Sequence, residues 1–374
     1  MTLKLPLDAL HRQDNAHMAP FAGYEMPIHY SSIVNEVKTT REATGLFDVS
    51  HMGEFFLTGK EAKKALQYFV VSDVSSLKNG KAQYSMLCNE KGKVLDDIIF
   101  YQIAEDHFLI CVNASNVEKD FQHIKTILEK KSFDCVLIDD SANWGIIAVQ
   151  GPTSFDVMEK SFGDLQLKEM KPFEFKEITL QGEKCYLAKT GYTGEKGVEI
   201  FYAAKGGDSR LASFLWSNLK EKGGVPCGLG ARDLLRIEAH LPLYGHEISE
   251  DVTPLDCHFS FVVNFEKEDF VGKQALMNHQ TQKCELKLSL EEAPARSIAR
   301  EGALIFRSDD VTNDTKAVGK ITSGGHSPTL GYGIAIASVD KEFKTQDSFW
   351  VEIRRARQKA VVVKGRNFLT KKKK

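Results

Sequence analysis

Lys91–Gln102, KGKVLDDIIFYQ, sets two carboxylates, Asp96 and Asp97, side by side in an otherwise apolar run. Ile98, Ile99 and Phe100 follow directly, so the run reads as a buried or half-buried strand. Successive side chains of a strand point to opposite faces, so the two aspartates cannot both do one job at one place. Which of them faces inward decides what a carboxylate is needed for.

Working outward, strand-like runs dominate the first 200 residues: GEFFLT, AQYSMLCN, HFLICVN, WGIIAVQG, FEFKEITLQG, KCYLAKTGY and GVEIFYAA. Helical patterns intervene. Asn116–Lys131 carries Val117, Phe121, Ile124, Ile127 and Leu128 on one face. Ser209–Gly223 is a second amphipathic helix ended by glycine, and Ala231–Leu241 a third, with Leu234, Ile237 and Leu241 in register. Strands and helices mixed in this irregular order predict an α+β fold rather than a doubly wound sheet. Beyond about residue 280 the pattern becomes β-rich with turn signals, which predicts a separate small barrel or sandwich. No internal repeat is evident.

The chain has 374 residues, enough for two or three domains. A formal net charge of −2 gives no global attraction to nucleic acid or a membrane surface. The one block of like charge, Lys371–Lys374, reads as a solvated end. Seven cysteines, an odd number with no C-x-x-C pair, sit mostly in apolar runs and fit buried free thiols in a reducing compartment. No segment has the ~18 apolar residues of a membrane span, and the N-terminus lacks the apolar stretch of a signal peptide. The expected location is cytoplasmic, which makes the N-x-S/T sequons at Asn113 and Asn313 irrelevant.

Few motifs carry chemistry on pattern alone. GLGARD, Gly228–Asp233, lacks the third glycine and preceding strand of a dinucleotide loop, so its glycines more simply shape the entry to a helix. Nucleotide-loop, zincin and nucleophile-elbow motifs are missing, as is any metal-ligand cluster; His29, His51, His246 and His326 are scattered. TGYTGEKGVEIFY, Thr190–Tyr202, is a glycine-rich turn leading into a strand that carries Glu199, and such a turn lets backbone approach a flat ligand closely. Pattern alone leaves Glu199, like Asp96 and Asp97, facing either a ligand or solvent.

Met18–Gly59, KGKVLDDIIFYQ, CVNASN, AVQGP, TGYTGEKGVEI, GLGARDLLRIEAHLPLYGHEI, TPLDC, DFVGKQAL and GKITSGGHSPTLGYGIAIASV together, in order and over nearly the whole chain, resemble the aminomethyltransferases, the T-proteins of the glycine cleavage system. The resemblance implies a three-domain α+β cloverleaf around a central folate cavity with a β-rich, barrel-like C-terminal domain. The expected division is 1–50 plus 140–275, an inserted domain at 51–139, and 276–374. It implies transfer of an aminomethyl carbon from the lipoyl arm of a hydrogen-carrier protein to tetrahydrofolate, with release of ammonia. Tetrahydrofolate is then a substrate, no metal is expected, and the lipoylated carrier is the partner.

The resemblance further implies that Asp96 lies in the folate cavity as the catalytic carboxylate. By alternation Asp97 then points away into a structural contact. Glu199 is expected to bind the pterin, because a carboxylate accepts two parallel N–H bonds from an aminopyrimidine edge. Arg232 is expected in the same cavity, Tyr84, Met52 and Tyr192 against the folate rings, and Asn113 as a hydrogen-bonding residue. Several positions depart from the family's usual residues: Tyr24, Cys257, His258, His326, Gly333 and the C-terminal tail. The alternatives are a folate-dependent demethylase, or a non-catalytic folate-binding protein on the same fold. The first normally carries a flavin domain for which this chain has no room. The second carries a cysteine motif that TGYTGEKGVE lacks.

Overall fold

The computed structural model describes residues 2–294, 297–312 and 316–372. Asn313, Lys373, Lys374 and the side chains of Lys371 and Lys372 lie outside the described residues, and with them the second sequon and the proposed solvated tail. Beyond a small N-terminal sheet, three larger β-structures organise the chain. A six-stranded sheet has the order Phe175–Leu180, Glu183–Ala188, Gly197–Ala203, Trp144–Gln150, Gly45–Asp48 and Val225–Pro226. A five-stranded antiparallel sheet runs Lys81–Cys88, Val94–Ala104, His107–Val112, Gly53–Thr58 and Val136–Asp139. A closed barrel of six antiparallel strands spans Lys283–Val362. The fold is α+β with a barrel at the C-terminal end.

The helices form where apolar periodicity put them, with shifted ends. Val117–Lys131 stops at Ser132, which takes a left-handed conformation with φ 53°. Arg210–Glu221 lays Leu211, Leu215, Trp216 and Leu219 on the six-stranded sheet. The third helix, Leu229–Ala239, starts two residues earlier than its periodicity predicts, because Gly228 is the residue before its first turn. A side chain at Gly228 would put its Cβ 2.3 Å from the Ile28 carbonyl, so only glycine lets the helix begin there. Glu36, buried between them, accepts from the Gly228 N–H at 2.8 Å and from Tyr30 and Ser31.

The five-stranded sheet is covered on both faces. Phe55, Leu57, Ile98, Phe100 and Ile110 pack with helices Ala62–Phe69 and Val117–Lys131. Phe56, Ile99, Tyr101, Leu109 and Cys111 point the other way, against Phe47, Ala148, Tyr186 and Phe201 of the six-stranded sheet. The two sheets therefore share one apolar interface, in which the Tyr101 ring meets Phe175 and Phe201 edge-on at 5.3 and 5.2 Å.

This packing corrects the expected facing of the two aspartates. Alternation holds, but in the opposite phase. Asp96 lies on the same face as Ile98 and Phe100, the helix side. It is fully buried and accepts from the Asn113 N–H at 2.9 Å and from Asn116 Nδ2 at 2.6 Å. It also meets the carboxyl of Asp120, on helix Val117–Lys131. Asp97 lies with Ile99 and Tyr101, the side of the second sheet, and accepts from the Tyr84 hydroxyl at 3.0 Å. The sequence could not fix this phase because the strand is apolar on both faces.

Asp96 and Asp120 form a buried carboxyl pair. Asp120 is completely enclosed and has no hydrogen-bond donor among the described residues. Burial and then the charge of Asp96 push it up to about 11, so Asp120 keeps its proton and shares it with Asp96. An unfolded chain loses that proton above a pH of 3.8. The folded state thus binds more protons between the two values, and stability falls as pH rises, by up to about 1.4 kcal/mol per pH unit for one whole proton. Asp120→Asn keeps a donor toward Asp96 but has no proton to lose. Its denaturant midpoint is expected to fall less between pH 6 and pH 9 than that of the parent protein. Identical slopes for the two would show that the pair holds no shared proton.

Candidate active site

The Asp97 face of the five-stranded sheet, the Glu199 face of the six-stranded sheet and the start of helix Leu229–Ala239 converge at one end of the shared interface. Asp97, Tyr84, Cys111, Tyr192, Glu199 and Arg232 each keep some accessible surface, yet protein surrounds each of them deeply. Surface that persists so far inside marks side chains lining an internal cavity.

Asp97 is held by two donors: the Tyr84 hydroxyl at 3.0 Å and Asn113 Nδ2 at 2.8 Å. The same Asn113 amide reaches Asp96 Oδ1 at 2.9 Å, so one side chain fixes both aspartates in opposite directions. Burial, and next the charge of Asp96 behind it, push the Asp97 carboxyl up to about 7. A carboxyl in that range gives and takes protons at neutral pH.

Glu199 stands in Gly197–Ala203 opposite Ala148 and Ala188, two small residues that leave space over its side chain. The Thr190 hydroxyl donates to its Oε2. Burial raises its carboxyl, opposed by that hydrogen bond and by the charge of Arg232. Arg232 lies over the Tyr192 ring at 4.6 Å, and the Tyr192 hydroxyl donates to the Pro242 carbonyl, which fixes the ring. Arg232 Nη1 is buried with no partner among the described residues. Arg232 makes no ion pair with Asp96 or Asp97 among the described residues, and Glu199 is the charge it feels most. A buried guanidinium with an idle donor is costly unless a ligand acceptor meets it.

Met52 and Phe56 pack at the edge of the same interface. Seven residues singled out from sequence thus divide in two. Glu199, Arg232, Tyr84, Met52, Asn113 and Tyr192 border the cavity, whereas Asp96 is turned from it. Sequence reasoning missed Asp97, Cys111 and Thr190 as residues of this site. The period-two pattern held the signal for the first two, since they sit on the same face as Ile99. A cleft of about 590 Å³ on the barrel, bordered by Arg300, Glu352 and Arg354, shares no residue with this cavity. No helix among the described residues is long and apolar enough to cross a membrane.

Comparison with known proteins bears on what such a cavity serves. Residues 7–267 match the family described as the GCVT N-terminal domain, and residues 284–368 the glycine cleavage T-protein C-terminal barrel domain. The chain is 40% identical to the aminomethyltransferase of Deinococcus deserti, covering 94% of this chain and 92% of that protein. It is also 40% identical to the aminomethyltransferase of Clostridium botulinum strain Kyoto, over 98% of this chain and 97% of its relative. The crystal structure of the glycine cleavage system aminomethyltransferase T from Bartonella henselae superposes with a TM-score of 0.86, at 29% identity over 97% of both chains. With both family domains in order and relatives alike over nearly their whole length, the chain belongs to the glycine cleavage T-protein family, the aminomethyltransferases.

Proposed function

We propose that this aminomethyltransferase moves the aminomethyl carbon from the lipoyl arm of the hydrogen-carrier protein to tetrahydrofolate, with Asp97 as the catalytic carboxylate. The observation that carries this is the placement of Asp97 and Glu199 on facing sheets with the idle Arg232 donor in the same enclosed space. In the balanced reaction the carbon–sulfur bond to the arm and the carbon–nitrogen bond to ammonia break. Two bonds from that carbon to folate N5 and N10 form. The two folate N–H protons leave with ammonia and the dihydrolipoyl thiol.

In this reading Glu199 accepts the paired N–H groups of the pterin, with Thr190 holding the carboxylate in place. Arg232 meets a polar acceptor of the folate, and Met52, Tyr84 and Tyr192 pack on its rings. Asn113 aims Asp97. Asp97, ionised, stabilises the positive iminium-like carbon in a site where water cannot screen it, and takes up a folate proton. Asp96 supports the site from behind: its charge adds to burial, the larger cause, in raising Asp97 toward the neutral range. The proposal extends to three domains, 1–50 plus 140–275, 51–139 and 276–374, each holding one of the large β-structures. It also extends to a cytoplasmic location and to a role without nucleic acid or membrane.

Asp97→Asn is expected to fold normally and to lower transfer by a factor of about 10² or more, the scale for losing one preorganised charge. In single-turnover assays with aminomethyl-loaded carrier, the parent rate is expected to rise with pH through a limb near 7, where Asp97 ionises. The variant is expected to lack that limb. Asp96→Asn is expected to reduce stability more than transfer, and the reverse ranking would return the catalytic role to Asp96. Glu199→Ala is expected to weaken tetrahydrofolate binding about tenfold or more, the worth of one charge-assisted pair. Unchanged binding by calorimetry would remove Glu199 from the pterin site. Folate binding without ammonia release by the parent protein would favour the non-catalytic reading.

A further inference from the structure

The barrel meets helix Leu229–Ala239 at a cluster that the folate chemistry leaves unused. His240 ends that helix, His258 stands on the 253–263 segment, and Glu285 points from the first barrel strand, Lys283–Ser289. One ligand atom from each of the three lies within 4.8 Å of the others. His240 Nε2 is 2.7 Å from Glu285 Oε1, and the His240 and His258 rings are 4.4 Å apart. The His240 and Glu285 side chains are only 4% and 7% exposed.

The surroundings of His240 point to a ligand. Both its ring nitrogens lack a hydrogen-bond partner among the described residues: the 2.7 Å approach to Glu285 is close but not aligned as a hydrogen bond. A buried imidazole without a partner is costly, and a cation that accepts its lone pair removes the cost. The left-handed backbone of His240, φ 59°, ends the helix there and leaves the ring beside the barrel strand of Glu285.

We propose that His240, His258 and Glu285 bind a divalent transition cation of the zinc class, which clamps the barrel to the end of the helix. Two imidazoles and one carboxylate suit zinc and disfavour magnesium or calcium, which prefer all-oxygen shells. A tetrahedral shell with bonds near 2.05 Å sets its ligands about 3.4 Å apart. His240 Nε2 and Glu285 Oε1, 2.7 Å apart, open by about 0.7 Å around the ion, and His258, exposed and on a turn, closes its remaining distance by swinging inward. Its solvent side leaves the fourth position to water. Lys287 and Arg366 also face the cluster. Lys287 is drawn off by the Gly365 carbonyl, to which its Nζ donates at 2.8 Å. The sequence held no sign of the site because its ligands are scattered across three segments and form no spaced motif.

The test uses full-length protein stripped by chelator and kept reduced. Cobalt chloride is expected to give the visible bands of a tetrahedral nitrogen–oxygen site without a thiolate charge-transfer band. Zinc chloride is expected to raise the unfolding midpoint by about 2 °C or more. His258→Ala keeps the fold because the side chain is exposed, and His240→Gly keeps it because glycine suits the left-handed backbone. Each is expected to bind zinc at least about tenfold more weakly, with loss of the cobalt bands. Absence of cobalt bands in the parent, a thiolate band, or variants that bind like the parent would overturn the proposal.

Discussion

Helix Leu229–Ala239 can occupy the middle of this molecule only because its buried charges are paired on two sides. Arg236 reaches Glu247 at 2.7 Å and the barrel residue Ser323 at 2.7 Å. Glu238 accepts from Arg41 at 2.8 Å and from Ser327 and Thr329 on the barrel side. Arg41 in turn donates to the Thr193 carbonyl and to Glu195, in the turn that precedes Glu199. Removing one member of such a buried pair strands the other and costs about 3–5 kcal/mol. The ion pairs therefore fix the helix, and the helix fixes Arg232 in the cavity, the Glu199 strand entrance and the seat of the barrel.

Against this paired frame the cavity is set apart by what is left unpaired. Three carboxyls, Asp97, Asp96 and Asp120, follow one another from the cavity wall into the helix layer, with Asn113 bridging the first two. The innermost keeps its proton, the middle one is satisfied by amides, and the outermost is left poised near neutrality. Burial raises all three carboxyls, and their different partners, amides for Asp96 and the neighbouring Asp96 charge for Asp97 and Asp120, leave three chemically identical groups in three different states.

Much of the fold was legible because apolar spacing reports burial directly. The strands around KGKVLDDIIFYQ, the three helices and the β-rich end all followed from it. The phase of the Asp96–Asp97 pair did not, since Ile98, Ile99 and Phe100 supply apolar side chains to both faces of a sheet covered on both sides. The start of helix Leu229–Ala239 depended on a steric fact about Ile28, 200 residues before Gly228 in sequence, that no local pattern contains. Glu199, Arg232, Tyr84, Met52, Asn113 and Tyr192 were named through family resemblance, because residue pattern alone left each of them undecided. Cys111 was readable once the phase was known.

Arg232 has a consequence for the life of the protein as well as for its chemistry. A buried guanidinium with an idle donor raises the energy of the empty state relative to the filled one. Whatever ligand supplies the missing acceptor binds the folded chain and not the unfolded one, so it draws the population toward the folded form by mass action. The fraction of chain that stays folded, and so resists proteolysis, then rises with the supply of that ligand.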